Sequence, residues 1–190
     1  MSQIVLTNIT ANCDFSCLVD QDRLVSKCNC KRVKQSKSNK NFNSILFKCE
    51  SSSCLIYKNG KVVIIGAKSS KSVRNTVNSV GALLGTDFVP TIKYTNYCAS
   101  TNLGHSIRDS ALYEYLRVHP ETKQVLFEPE IFPTIKWDPK NLPSTINIFK
   151  SGKINSTGNK YKWQAFSSLK AIRRLILTVS TVLCSFPKTP

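Results

Sequence analysis

Apolar residues recur along two stretches of this chain with the spacing of a single helical stripe. Val73, Val77, Val80 and Leu84 stand at steps of 4, 3 and 4, and Leu169, Ile172, Ile176, Val179 and Leu183 at steps of 3, 4, 3 and 4. Each stripe predicts a long helix with one face against a core. Ser69 or Ser70 caps the first, and Gly85-Thr86-Asp87 ends it; Lys170, Arg173 and Arg174 lie off the stripe of the second. Shorter helices are predicted over 18–25 and 107–117. β-rich segments predict strands at 4–12, 42–48, 91–100, 136–137, 144–150 and 153–158, and on both sides of Gly60. A polar, lysine-rich loop is predicted over 27–40. In Val62-Val63-Ile64-Ile65 both parities are apolar. Val62 and Ile64 can face a helix, which leaves Val63 and Ile65 on a bare face. An apolar sheet face ringed by lysines marks an interaction site, unless loops or a partner protein cover it.

The pattern occurs twice. Residues 56–68, Ile-Tyr-Lys-Asn-Gly-Lys-Val-Val-Ile-Ile-Gly-Ala-Lys, recur at 148–160 as Ile-Phe-Lys-Ser-Gly-Lys-Ile-Asn-Ser-Thr-Gly-Asn-Lys, an offset of 92 with six of thirteen positions identical. Residues 7–11 pair with 95–99 at an offset of 88, and 41–45 with 131–135 at 90. Both halves read as strand, helix, several antiparallel strands and a long helix, with a tight Gly-Lys turn in the last hairpin. The expectation is an α+β protein made of two repeats, 1–87 and 88–190, sharing a sheet with helices on one face.

Composition adds a partner class. The 190 residues carry 27 Lys+Arg against 11 Asp+Glu, a net charge of +16, which favours polyanions or anionic membrane surfaces. Met1 to Val5 lacks the basic start and apolar run of a secretory signal, so a reducing setting with free, mostly buried thiols is expected for the eight cysteines. Cys13, Cys17, Cys28 and Cys30 fit no usual zinc spacing, and no metal or cofactor is expected. The apolar run 175–186 is too short to span a membrane. His105 and His119 have no nucleophile or carboxylate at recognisable spacing, there is no phosphate-binding glycine loop, and no enzymatic activity is expected.

Phe127-Glu128-Pro129-Glu130-Ile131-Phe132-Pro133, followed 17 positions after Phe132 by Phe149-Lys150-Ser151-Gly152-Lys153, resembles the signature of the TATA-box binding protein family. Residues 57–68 stand where that family has its first-half motif, and the likeness runs from Asn8 to the last helix. It implies a saddle: a curved ten-stranded antiparallel sheet with four helices on its convex side. The concave side would take A/T-rich double-stranded DNA through the minor groove and bend it, at a nuclear or viral transcription site.

The resemblance also assigns residues. Phe42, Tyr57, Phe132 and Phe149 match the paired aromatics that wedge between base steps, a mode of which this family is the type example. Asn8 and Asn96 match the asparagines at the central base edges; Thr10, Val63, Ile65, Cys98, Asn155 and Thr157 line the same face. Lys48, Lys61, Lys68, Lys153 and Lys160 match phosphate-contacting basics. Glu128, Glu130 and Ile131 match the turn on which TFIIB-like factors dock, leading to the RNA polymerase machinery. TFIIA-like binding is not carried over, because the turn at 50–53 is short and lacks basic residues. Ile65, Asn155 and Asp138 depart from the family pattern and predict an altered sequence preference. They equally suit a scaffold that keeps the saddle with weak DNA binding. A bare face also admits pairing of two copies when DNA is absent.

Overall fold

The computed structural model describes residues 3–28, 30–33, 44–50 and 52–184. In chain order the elements are β1 (Val5–Asp14), α1 (Gln21–Lys27), β2 (Cys30–Arg32), β3 (Ser44–Cys49), β4 (Ser52–Tyr57), β5 (Lys61–Ala67) and α2 (Ser70–Leu84). Then follow β6 (Lys93–Asn102), α3 (Asp109–Val118), β7 (Thr122–Glu128), β8 (Phe132–Pro139), β9 (Thr145–Phe149), β10 (Lys153–Asn159) and α4 (Lys162–Cys184). The order strand, short helix, four strands, long helix thus occurs twice. The strands form a ten-stranded sheet in the order β2-β3-β4-β5-β1-β6-β10-β9-β8-β7, and every pair with a defined register is antiparallel. The expected α+β architecture of ten strands and four helices is the one observed. By compactness the chain divides into residues 7–96 and residues 1–6 with 97–190.

In the unit 7–96, alternate residues of the strands turn inward: Ile45, Cys54, Ile56, Val62 and Ile64 are buried. Val73, Val77 and Val80 of α2 are buried with them, as the stripe predicts, while Leu84 is only half-buried. Ser69 caps α2 by accepting from the Ser72 N–H, and Gly85 closes it in the left-handed conformation at φ 71°. The short helix starts later than predicted, at Gln21, because Asp20 is its N-cap and accepts from the Arg23 N–H; Leu18 lies outside it and is exposed. Strand β2 sits inside the stretch read as a polar loop. Its three residues are too few to show a period.

In the other unit, Ile135, Ile146, Ile148 and Ile154 of the strands pack with Leu112 and Leu116 of α3 and with Leu169, Ile172 and Ile176 of α4. Strand β7 is not among the strands the sequence predicts, and β8 is longer than the two residues, 136–137, expected of it. Trp137 is buried, with its indole N–H donating to Thr122 Oγ1 at 2.8 Å.

The duplication extends to individual bonds. The Phe15 N–H donates to the Gly60 carbonyl and the Leu103 N–H to that of Gly152, each at 3.0 Å. The Val19 and Ile107 N–H groups reach the carbonyls of Lys58 and Lys150, each at 2.9 Å. Buried hydroxyls join Ser52 to Thr76, and Ser144 to Ser168 at 2.9 Å, so that in each unit a strand start is tied to the long helix. These pairs stand 88 or 92 positions apart, the offsets of the sequence repeat.

Candidate nucleic-acid interface

The outward residues of each unit are fixed by strand register. In 7–96, Leu46 lies opposite Leu55, Leu55 opposite Val63, and Val63 opposite Asn12. Lys48 lies opposite Ser53, Ser53 opposite Ile65, and Ser44 opposite Tyr57. As expected, Val62 and Ile64 are buried while Val63 is half-buried and Ile65 is 37% exposed. This face is mainly aliphatic. Tyr57, Lys61, Val63, Asn12 and Lys93 line a depression of about 540 Å3 on it.

Asn8 is committed within its own unit. Its Oδ1 accepts from the Gly66 N–H at 2.6 Å, and its Nδ2 donates to Thr10 Oγ1 at 3.4 Å. The β1–β5 register shifts here, between Ile9 and Ala11, and Gly66 has φ 81°. Asn8 therefore positions this bulge, whatever else it meets. Thr95 Oγ1 donates to the Thr10 carbonyl at 3.1 Å, and Asn96 beside it is half-buried on β6. Phe42, named from the sequence as a wedge, lies outside the described residues.

In the second unit, Phe132 and Phe149 meet edge to face, with centroids 6.4 Å apart and planes at 74°. Phe132 is 54% exposed, an orientation that burial alone does not explain for a large apolar ring. Inward of this pair the face is polar. Lys136 lies opposite Asn147, Asn147 opposite Asn155, and Thr145 opposite Thr157. Thr157 Oγ1 donates to the Thr145 carbonyl at 3.4 Å, and Cys98 is half-buried on β6. Asp138, across from Gln124, has a buried Oδ1 with no hydrogen-bond partner among the described residues.

Lys48, Lys61, Lys68, Lys153 and Lys160 are all exposed, and among the described residues none of their ammonium groups forms an ion pair. Several residues of this face were not named from the sequence, among them Leu46, Leu55, Lys136 and Asn147. The signal was present, because Leu55 and Asn147 are 92 apart and Leu46 and Lys136 are 90 apart, on strands whose alternation was already set by Tyr57 and Phe149.

The turn between β7 and β8 presents Glu128, Glu130 and Ile131, all exposed, with the Ile131 N–H closing on the Glu128 carbonyl at 3.0 Å. Strand order corrects its first-half counterpart. That counterpart is the β2–β3 connection, residues 33–43, most of which lie outside the described residues; the hairpin at Glu50 corresponds to the β8–β9 connection.

Cysteines supply no further site. Cys13, Cys30 and Cys54 are buried, and burial pushes the Cys13 thiol up to about 11 and Cys54 higher still. Among the described residues no three His, Cys, Asp or Glu side chains gather to hold a metal.

The family model described as "Transcription factor TFIID (or TATA-binding protein, TBP)" matches residues 3–85 and 91–179. The chain belongs to the TATA-binding protein family. Among relatives of that family it is 28% identical to TATA-box-binding protein 2 of Methanosarcina acetivorans over 180 residues, covering 90% of this chain and 92% of the relative. It is also 28% identical to the TATA-box-binding protein of Thermococcus celer, over 89% of this chain and 88% of the other. The solved structure of Methanococcus jannaschii TBP shares the fold, with a TM-score of 0.71 over 93% of this chain and 99% of that one at 23% identity.

Proposed function

We propose that this TATA-binding protein family member is a transcription initiation factor that binds A/T-rich double-stranded DNA through the minor groove, bends it, and recruits a TFIIB-like factor. The edge-to-face pair of exposed Phe132 and half-buried Phe149 carries the proposal. Planar rings can replace a base stack that bending opens, a mechanism for which this family is the type example. Minor-groove A·T pairs offer only acceptors and no obstructing amino group, which suits the aliphatic Leu55, Val63 and Ile65. Lys48, Lys61, Lys68, Lys153 and Lys160, exposed and without an ion pair among the described residues, supply the phosphate contacts that position such a complex.

Salt-titrated anisotropy with an end-labelled, energy-transfer duplex tests the DNA part. Five phosphate contacts give a slope of log affinity on log salt near about −4.5, or about a 500-fold loss from 50 to 200 mM. The Phe132→Ala/Phe149→Ala variant is expected to lose the bend while keeping most of that slope. A wild-type complex that is unbent and indifferent to sequence would instead favour a scaffold, a reading to which the exposed Glu128, Glu130 and Ile131 lend weight.

A further inference from the structure

The two units present different chemistry at equivalent places. Where the first carries Leu55 opposite Val63, the second carries Asn147 opposite Asn155. Asparagine is a poor strand former, and two in register in mid-sheet bring the folded chain no packing in return. Both are half-buried, and neither carboxamide is engaged by a hydrogen bond among the described residues. Asn8 and Asn159 differ: each is held by its own unit, Asn8 by Gly66 and Asn159 by the Tyr97 carbonyl. The Asn147–Asn155 pair stands beyond the Phe132–Phe149 wedge, flanked by the hydroxyls of Thr145 and Thr157.

Resting on the DNA-binding reading above, we propose that Asn147 and Asn155 are specificity-determining residues that accept a guanine 2-amino group in the minor groove. A G·C pair differs from A·T there by one donor, the guanine amino group, set between acceptors. A leucine or valine pressed on that group leaves its N–H bonds unmade, which is why an aliphatic face rejects G·C. A carboxamide matches it, with the oxygen accepting from the amino group and the NH2 donating to the neighbouring ring nitrogen or carbonyl. The first unit thus reads A·T by exclusion, and the second reads at least one G·C pair by hydrogen bonding.

Inosine isolates the group concerned, since I·C lacks only the 2-amino function of G·C. Wild-type protein is titrated with duplexes in which each step of an A/T-rich site is replaced in turn by G·C or I·C, and separately by 2,6-diaminopurine·T. In one half of the site G·C is expected to bind about 10-fold tighter than I·C at one or two adjacent steps, and in the other half about 10-fold weaker. Asn147→Leu/Asn155→Val places in the second unit the residues the first already carries at that register, so the fold is kept; the variant is expected to penalise the amino group in both halves. Diaminopurine in place of adenine should reproduce each sign. An amino group disfavoured at every step by the wild type overturns the assignment while leaving DNA binding intact. So does a preference for G·C that the double variant does not change. Failure to bind any duplex with sequence dependence sinks the DNA-binding reading itself, and this inference with it.

Discussion

A Cβ on Gly152 would overlap the His105 carbonyl oxygen, and one on Gly60 would stand 2.6 Å from that of Cys17. Both residues also have positive φ, at 83° and 82°. The identity of the side chain, a single hydrogen, is what lets each hairpin tip seat beneath the loop before its short helix. Gly66 has a similar φ of 81° but open space where a Cβ would go. Gly66→Ala therefore carries only the conformational cost, about 1 kcal/mol, while Gly152→Ala adds a backbone clash and should cost roughly 3 kcal/mol or more. Urea unfolding of the two variants checks this; equal losses would mean that the loop yields freely. At this scale the sequence was partly legible. The Gly-Lys turn and its repeat were plain, but the reason for glycine was not, since the opposing carbonyl comes from a residue far away in the chain.

Among the elements, those with a period were the easiest to foresee. Helix α2 is bounded by the serine and glycine that predict it, because capping is local chemistry between residues three apart. Strands β7 and β8 were harder, since the Phe127–Pro133 motif straddles the turn and mixes both faces. Phe127 turns inward onto Tyr113, with centroids 5.7 Å apart, while Phe132 turns out. The turn between them is held by one backbone hydrogen bond and leaves two acids without a cation among the described residues. If it is the docking point for a TFIIB-like factor, Glu128→Arg/Glu130→Arg should abolish the ternary gel shift, a loss of at least 10-fold, with DNA binding unchanged or tighter. Ternary complex formed as well as by the wild type would remove the turn from that role.

For the molecule as a whole, the thiols link stability to pH. Burial pushes the Cys13 thiol up from an ordinary value of 9.0 to about 11, and deeper burial raises Cys54 further. A raised folded pKa means that the unfolded state loses its proton first. The contribution is therefore complete below pH 9 and disappears as pH climbs through 11. Each thiol should remove about 1.4 kcal/mol of stability per pH unit in that window. Denaturation curves at pH 8, 9, 10 and 11 measure this, with Cys54→Ala and Cys13→Ala each compared against its own value at pH 8; slopes unchanged in both variants would exclude the thiols as the cause. The fold and its duplication could be read from the chain because they depend on spacing. The character of each face could not be read fully, because it depends on which strands lie side by side. Asn155 was visible as a departure, but its meaning needed Asn147 across the ladder.

The bonds that tie hairpin to loop in both units run from backbone to backbone. They ask nothing of Val62-Val63-Ile64-Ile65 beyond room for the main chain, and they persist where the second copy reads Ile154-Asn155-Ser156-Thr157. A scaffold secured in this way tolerates replacement of its working surface one residue at a time without risking collapse. Such a protein can change what it recognises by drift alone, and two copies born identical can come to speak to different halves of one target.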